Sequence, residues 1–167
     1  MMQVRQGVVA VWLAVALGAC SVAAGEPELV QLADGKWGDG QVQHSTEIMT
    51  ERLPALIDME SVTYYIGGQG KVEWVTDRIT VPGPTDYWLD AVVTLPNGAV
   101  ASLLDTVHDA HVASDAPDVV PHLSASLPAG DLWWSPTLNE HITTATWHGH
   151  VYLSPATDQA VLVLYTT

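Results

Sequence analysis

The sequence predicts an α+β fold: an antiparallel sheet of about five strands, one main packed helix and one or two short helices. Three observations predict it. Runs of strand length, rich in β-branched and aromatic residues, recur between turns that contain Gly or Pro. One stretch, Val100, Leu103, Leu104 and Val107, has the i, i+3, i+4, i+7 spacing of an amphipathic helix. The connections between strands are short, which suits antiparallel pairing.

The first 19 residues read as a secretory signal, with Arg5 in a short polar start, an apolar run from Val8 to Leu17, and small residues behind it. An apolar core of about ten residues is too short to cross a ~30 Å hydrocarbon layer as a helix. Leu17-Gly18-Ala19-Cys20 resembles the lipobox of bacterial lipoproteins. That resemblance implies that Cys20 is acylated and becomes the mature N-terminus. Two other readings of the same stretch are cleavage after Ala23 and an uncleaved anchor running to Ala24. Cys20 is the only cysteine and stands where the lipobox requires it, which favours the first. Residues 20–44 then form the acylated Cys and a largely disordered tether, from which Leu29, Val30, Leu32 and Trp37 are able to dock. Residues 45–167 form the globular domain.

Within that domain a short helix is expected to start at Ser45 or Thr46, with Glu47 in its first turn. Met49, Leu53 and Leu56 supply its apolar stripe, and Pro54 limits its length. Glu60–Ile66 and Lys71–Val81 read as a hairpin across Gly67-Gly68-Gln69-Gly70. Pro82-Gly83-Pro84-Thr85 breaks the second strand. Asp86–Leu95 resumes as a strongly apolar strand, central in the sheet. After Pro96-Asn97-Gly98 comes the main helix, over 97–108, with Asn97 as its N-cap. The run from Ala110 to Gly130 is loop-like and holds a short edge strand within Val119–Leu127. Ser135 caps another helical turn with Pro136 at its first position. Thr143–Leu153 and Gln159–Thr166 form a C-terminal hairpin.

Composition bounds the function. A mature chain from Cys20 keeps Lys36, Arg52, Lys71 and Arg78 against all 19 acidic residues, a formal charge of −15. Nucleic acid is excluded as a partner, because phosphate binding needs clustered Lys and Arg. The same charge repels anionic headgroups, so the domain stands off the membrane. With its one thiol acylated, the domain has no disulfide, no thiolate metal site and no cysteine nucleophile. There is no Phe, so Trp and Tyr carry the aromatic burial.

Val81-Pro82-Gly83-Pro84-Thr85-Asp86-Tyr87-Trp88-Leu89-Asp90-Ala91 resembles a segment of small uncharacterised lipoproteins and secreted proteins of actinobacteria. A helix after the following strand, a Trp-Ser step before a short helix and a C-terminal hairpin extend the likeness over roughly residues 50–167. It implies a surface-anchored domain and carries over no activity and no functional residue.

Three constellations are candidates for chemistry. Asp105, His108 and Asp109 share the polar side of the expected helix at i, i+3 and i+4, and imidazole with carboxylate suits Zn²⁺ or another divalent cation. A solvated helix end, where His is favoured by the dipole, is the other reading, and the absence of an HExxH or similar strict spacing favours it. His148 and His150, at i and i+2 on a strand, face one side and could share an ion, or be two half-exposed strand residues. Trp88, Trp133 and Trp134 are candidates for a binding surface. Tyr87 and Trp88 point to opposite faces, so one of them belongs to the core. No Gly-x-Ser-x-Gly elbow, Ser-x-x-Lys pair or phosphate-binding Gly loop is present.

The expectation is a non-enzymatic module without a cofactor, lipid-anchored on the extracytoplasmic face of the cell membrane, which binds an envelope protein or a small ligand. An envelope metalloprotein or hydrolase using the His and Asp positions is the first alternative. An acidic inhibitor or immunity-type protein with a basic partner is the second.

Overall fold

The computed structural model describes residues 29–69 and 86–166. Cys20, the Lys71–Val81 strand, the Pro82–Thr85 breaker and residues 81–85 of the actinobacterial segment lie outside the described residues. Among the described residues, eight strands form one antiparallel sheet. In chain order they are β1 (Val30–Ala33), β2 (Lys36–Gly38), β3 (Ser61–Gln69), β4 (Tyr87–Thr94), β5 (His111–Val112), β6 (Trp133–Trp134), β7 (His148–Ser154) and β8 (Gln159–Tyr165). Their order across the sheet is β1-β2-β3-β4-β8-β7-β6-β5. The fold is therefore α+β and antiparallel, as the sequence predicts, but wider than the five strands expected.

The extra strands come from segments whose sequence carries weak signals. β1 and β2 form a hairpin inside the stretch read as tether, and β2 adds to β3 through Lys36↔Gln69 and Trp37↔Gly68. Two-residue strands such as β5 and β6 are too short for any periodicity to show. The Gly67-Gly68 pair, read as a turn, lies inside β3, which pairs with β4 along its length and with β2 at its end. Gly67 is needed there because a Cβ would fall 1.8 Å from the Trp37 carbonyl oxygen. The edge strand expected within Val119–Leu127 is instead a 3₁₀ helix, Pro121–Ser126.

β4 is central, as expected, and is buried from Trp88 to Val93. Strand alternation sends Leu89, Ala91 and Val93 to one face and Trp88, Asp90 and Val92 to the other. The first face carries the larger core. There β4 and Ala160, Leu162 and Leu164 of β8 meet Val62 and Tyr64 of β3 and Val151 and Leu153 of β7. Three helices cover it: α1 (Thr46–Arg52) with Met49, α2 (Ala99–Leu104) with Val100, and α3 (Pro136–Ile142) with Leu138 and Ile142. Each fully buried Leu, Ile or Met contributes about 1.5–3 kcal/mol.

Two helix starts are as expected. Ser45 accepts from the Ile48 N–H at 3.3 Å, and Ser135 from the Leu138 N–H at 3.1 Å, with Pro136 following it. The main helix is shorter than 97–108. It ends at Leu104, because Thr106 folds back on the Leu103 carbonyl through both its N–H (3.1 Å) and its hydroxyl (2.6 Å), a side-chain bond that competes with helix propagation. Its N-cap is Gly98, at φ 78, rather than Asn97. The missing side-chain cap comes from the β7–β8 turn, where the Asp158 carboxylate accepts from the Gly98 N–H (3.0 Å) and the Val100 N–H (3.2 Å).

Candidate functional site

The second face of the sheet is divided. Over β3 and β4, the Pro121–Ser126 helix and Val120 close on Leu32, Tyr65, Trp88, Val92 and Val161. Toward the β5 edge a cavity opens over the strands. Register alone aligns the side chains left open. His111 pairs with Trp134, and Trp133 with Leu153, so Trp134 comes level with Tyr152. His150 and Tyr152 share this face of β7.

These residues line a cavity of about 300 Å³, completed by Ala113, Ser114 and Asp115 of the loop after β5. Its rings form a row: His111 to Trp134 5.3 Å edge-on, Trp134 to His150 6.1 Å, and His150 to Tyr152 6.1 Å. Asp115 is exposed and, among the described residues, accepts only from the neighbouring Ser114 hydroxyl, at 2.8 Å. Burial raises the Tyr152 hydroxyl above the ordinary phenol value, and the negative charge of Asp115 adds to the rise. The cleft thus combines apolar ring surface with one carboxylate. Trp134 Nε1 is buried and meets no acceptor among the described residues.

Trp133 and Trp134 are neighbours on β6 and point to opposite faces, so each lines a different cavity. Trp133 faces a second one, of about 370 Å³, with Asp105, His108, Leu104 and Val107 at the end of α2. The candidate Trp and His residues therefore do not converge on one concave surface. They divide between two, separated by the sheet.

The other candidates fall as follows. Trp88 is not a surface ring. It is 1 % exposed, donates its indole N–H to the Trp37 carbonyl at 3.1 Å, and lies under the Lys36 ammonium. Tyr87, its neighbour, is the exposed one of the pair. Asp105 and His108 lie beyond the last residue of α2, so the i, i+3, i+4 geometry expected with Asp109 does not form. Asp109 is occupied elsewhere: it accepts from the Ser135 hydroxyl, the Thr137 N–H (3.0 Å) and the Thr137 hydroxyl (2.8 Å), capping α3. These bonds, the one from Ser135 above all, hold its carboxyl below the usual range. His148 and His150 do share a face, but His148 neighbours Tyr165 (6.3 Å), not the Trp134 row. Among the described residues no group of three or more His, Cys, Asp or Glu side chains is placed to hold a metal ion.

Sequence reasoning missed Tyr152, although His-Gly-His-Val-Tyr extends the i, i+2 pattern of His148 and His150 by one step. It missed His111, Ser114 and Asp115, whose loop has no local signature. It also missed the ion pair that closes the other half of this face. Asp90 is fully buried, bonds the Lys36 ammonium through both oxygens (2.8 and 2.7 Å), and accepts from the Val120 N–H at 2.7 Å. Burial holds its carboxyl above the ordinary value, opposed by the bond and charge of Lys36. Lys36 also donates to the Asp118 carbonyl at 3.2 Å. One ion pair thus joins β2, β4 and the covering loop.

Comparison of the chain with protein-family models, with curated proteins and with solved structures finds no match.

Proposed function

We propose that this is a lipid-anchored envelope protein, acylated at Cys20, whose domain acts as a non-enzymatic binding module. Its ligand, a small molecule or a side chain of an envelope partner, occupies the Trp134 cleft. The observation that carries the reading is the cleft itself: ring surfaces of Trp134 and Tyr152, two imidazoles and an exposed carboxylate lining a cavity of about 300 Å³ at the open end of the sheet. The lipobox, the likeness to actinobacterial lipoproteins and the stand-off charge support the location. Two acyl chains anchor stably where one is marginal. Val30, the first residue of β1, stands ten positions after Cys20, which limits the reach of the tether to about 35 Å. The domain then works close to the bilayer that its charge repels.

Two experiments test this. Cys20→Ala should release the protein from membranes and abolish lipid labelling, and a mutant that still fractionates with membranes rejects the anchor. A photo-crosslinking residue at Ala113, in full-length protein within its own cells, should repeatedly yield one adduct by mass spectrometry. The same residue at Ile57, exposed on α1's side of the sheet, should not. Equal and diffuse yields at both positions reject the cleft.

A further inference from the structure

We infer that the Trp134 cleft is selective for a small organic ammonium ion, an inference that rests on the cleft being the binding site. Three features of the molecule point to that chemistry. The first is the pairing of aromatic rings with a negative charge. Trp134 and Tyr152 line the cavity, and Asp115 stands at its rim close enough for its charge to raise the Tyr152 hydroxyl. Aromatic quadrupoles attract a cation, and a carboxylate beside them reinforces the attraction.

The second feature is that nothing among the described residues neutralises Asp115. The one Lys and one Arg among them are engaged elsewhere, Lys36 on Asp90 and Arg52 5.6 Å from the ring of Trp147, and neither cleft imidazole forms an ion pair with Asp115. The Ser114 hydroxyl leaves the carboxylate its full charge, because it donates a hydrogen bond without transferring a proton. The third feature is size and field. A cavity of about 300 Å³ lies at the small end of ligand sites, and a chain of net charge −14 concentrates cations around it. A neutral sugar would need an array of paired donors and acceptors. Here the polar lining is Asp115, two imidazoles, the Tyr152 hydroxyl and a Ser114 hydroxyl already directed at Asp115, and the Trp134 indole N–H is buried. A metal ion would need three converging ligands, which the described residues do not offer.

The test compares choline with 3,3-dimethyl-1-butanol, its neutral carbon isostere, on full-length protein in detergent. Calorimetry measures affinity, and the indole N–H resonances locate binding. Choline should shift the Trp134 resonance and bind roughly five- to thirtyfold tighter than the isostere. Asp115→Asn should remove most of that ratio. Asp115 is exposed and bonded, among the described residues, only to its neighbour, so the variant folds; Trp134→Phe keeps a ring and should retain part of the selectivity. Equal affinity for both compounds overturns the ammonium reading while leaving the cleft as a binding site. Binding of neither overturns it too, and the Ala113 crosslink then decides separately whether the cleft binds anything. A choline shift at an indole other than Trp134 also overturns it.

Discussion

On one face of the sheet, α1, α2 and α3 press Met49, Val100, Leu138 and Ile142 onto a floor of Leu, Val and Ala. On the other, a single 3₁₀ helix covers a smaller apolar patch, the half-buried Lys36 and the buried Asp90 complete it, and the rings beyond are left open. The same strands build both faces. What differs is how each is closed: by non-directional burial on the first, by directed polar bonds on the second. Apolar closure is tight under the three helices, because any space between those layers would be a costly void, and a cavity opens on that face past the end of α2, at Trp133. Closure by one ion pair and one short helix can stop part-way across the sheet, and the Trp134 cleft lies where it stops.

The largest expected effect breaks the polar closure. Lys36→Met leaves the fully buried Asp90 carboxylate without its cation and should cost about 3–5 kcal/mol by chemical denaturation at pH 7. Lys36→Met/Asp90→Leu should recover most of that, because an apolar pair removes both desolvation costs. The single variant should also change its pH dependence. The Asp90 carboxyl is already held above its ordinary value by burial, and removing the Lys36 charge raises it further. A group that holds its proton more tightly when folded lowers stability as pH rises through the interval between its unfolded and folded values. The Lys36→Met protein should therefore be weakest at neutral pH and approach wild type in acid. A loss that is independent of pH would place the effect in packing and not in charge.

Neighbours on β8 offer the next contrast, since adjacent residues serve opposite faces. Leu162 is fully buried under the helices, and Val163, level with His150, is half-exposed on the open face. Leu162→Ala should cost about 2–5 kcal/mol, with a lower Tm and an unchanged fold. Val163→Ala should cost under about 1 kcal/mol. Similar losses at the two positions would mean that the second face is packed as tightly as the first, which would remove the physical basis for a cleft.

The first face was largely legible in the sequence and the second was not, for the same reason that they differ. Apolar burial writes periodicity: Met49, Leu53 and Leu56, the run of β4, and the strands of the C-terminal hairpin all declare themselves through spacing. Caps made within a few residues, at Ser45 and Ser135, are equally local. Polar closure joins residues far apart in the chain. Lys36 and Asp90 are 54 positions apart, and Asp158 caps α2 from 58 and 60 positions away. No window of sequence contains both partners. Asp90 left one trace, a lone charge in an apolar strand. The cleft depends on the two-residue strands β5 and β6, which are too short to show a period, so Trp134 was visible as a candidate while His111 and Asp115 were not.

The smallest effect concerns the one site where a candidate metal ligand proved to be a cap. Asp109 supports α3 from outside the helix, through Ser135 and Thr137, and its carboxyl is held below the ordinary range. A carboxylate whose folded value is depressed contributes stability that is present above its unfolded value and lost as pH falls through the folded one. From about pH 4 downward, wild type should therefore lose Tm more steeply than Asp109→Asn, whose amide cannot titrate. At neutral pH the variant should melt slightly lower, because a neutral amide accepts more weakly from Thr137 and no longer offers a charge to the start of α3. The comparison isolates Asp109 from the other acidic side chains, which titrate in both proteins. If the two Tm–pH curves run parallel through the acid range, Asp109 does not cap α3, and its carboxylate is free for the ligand role that its sequence position first suggested.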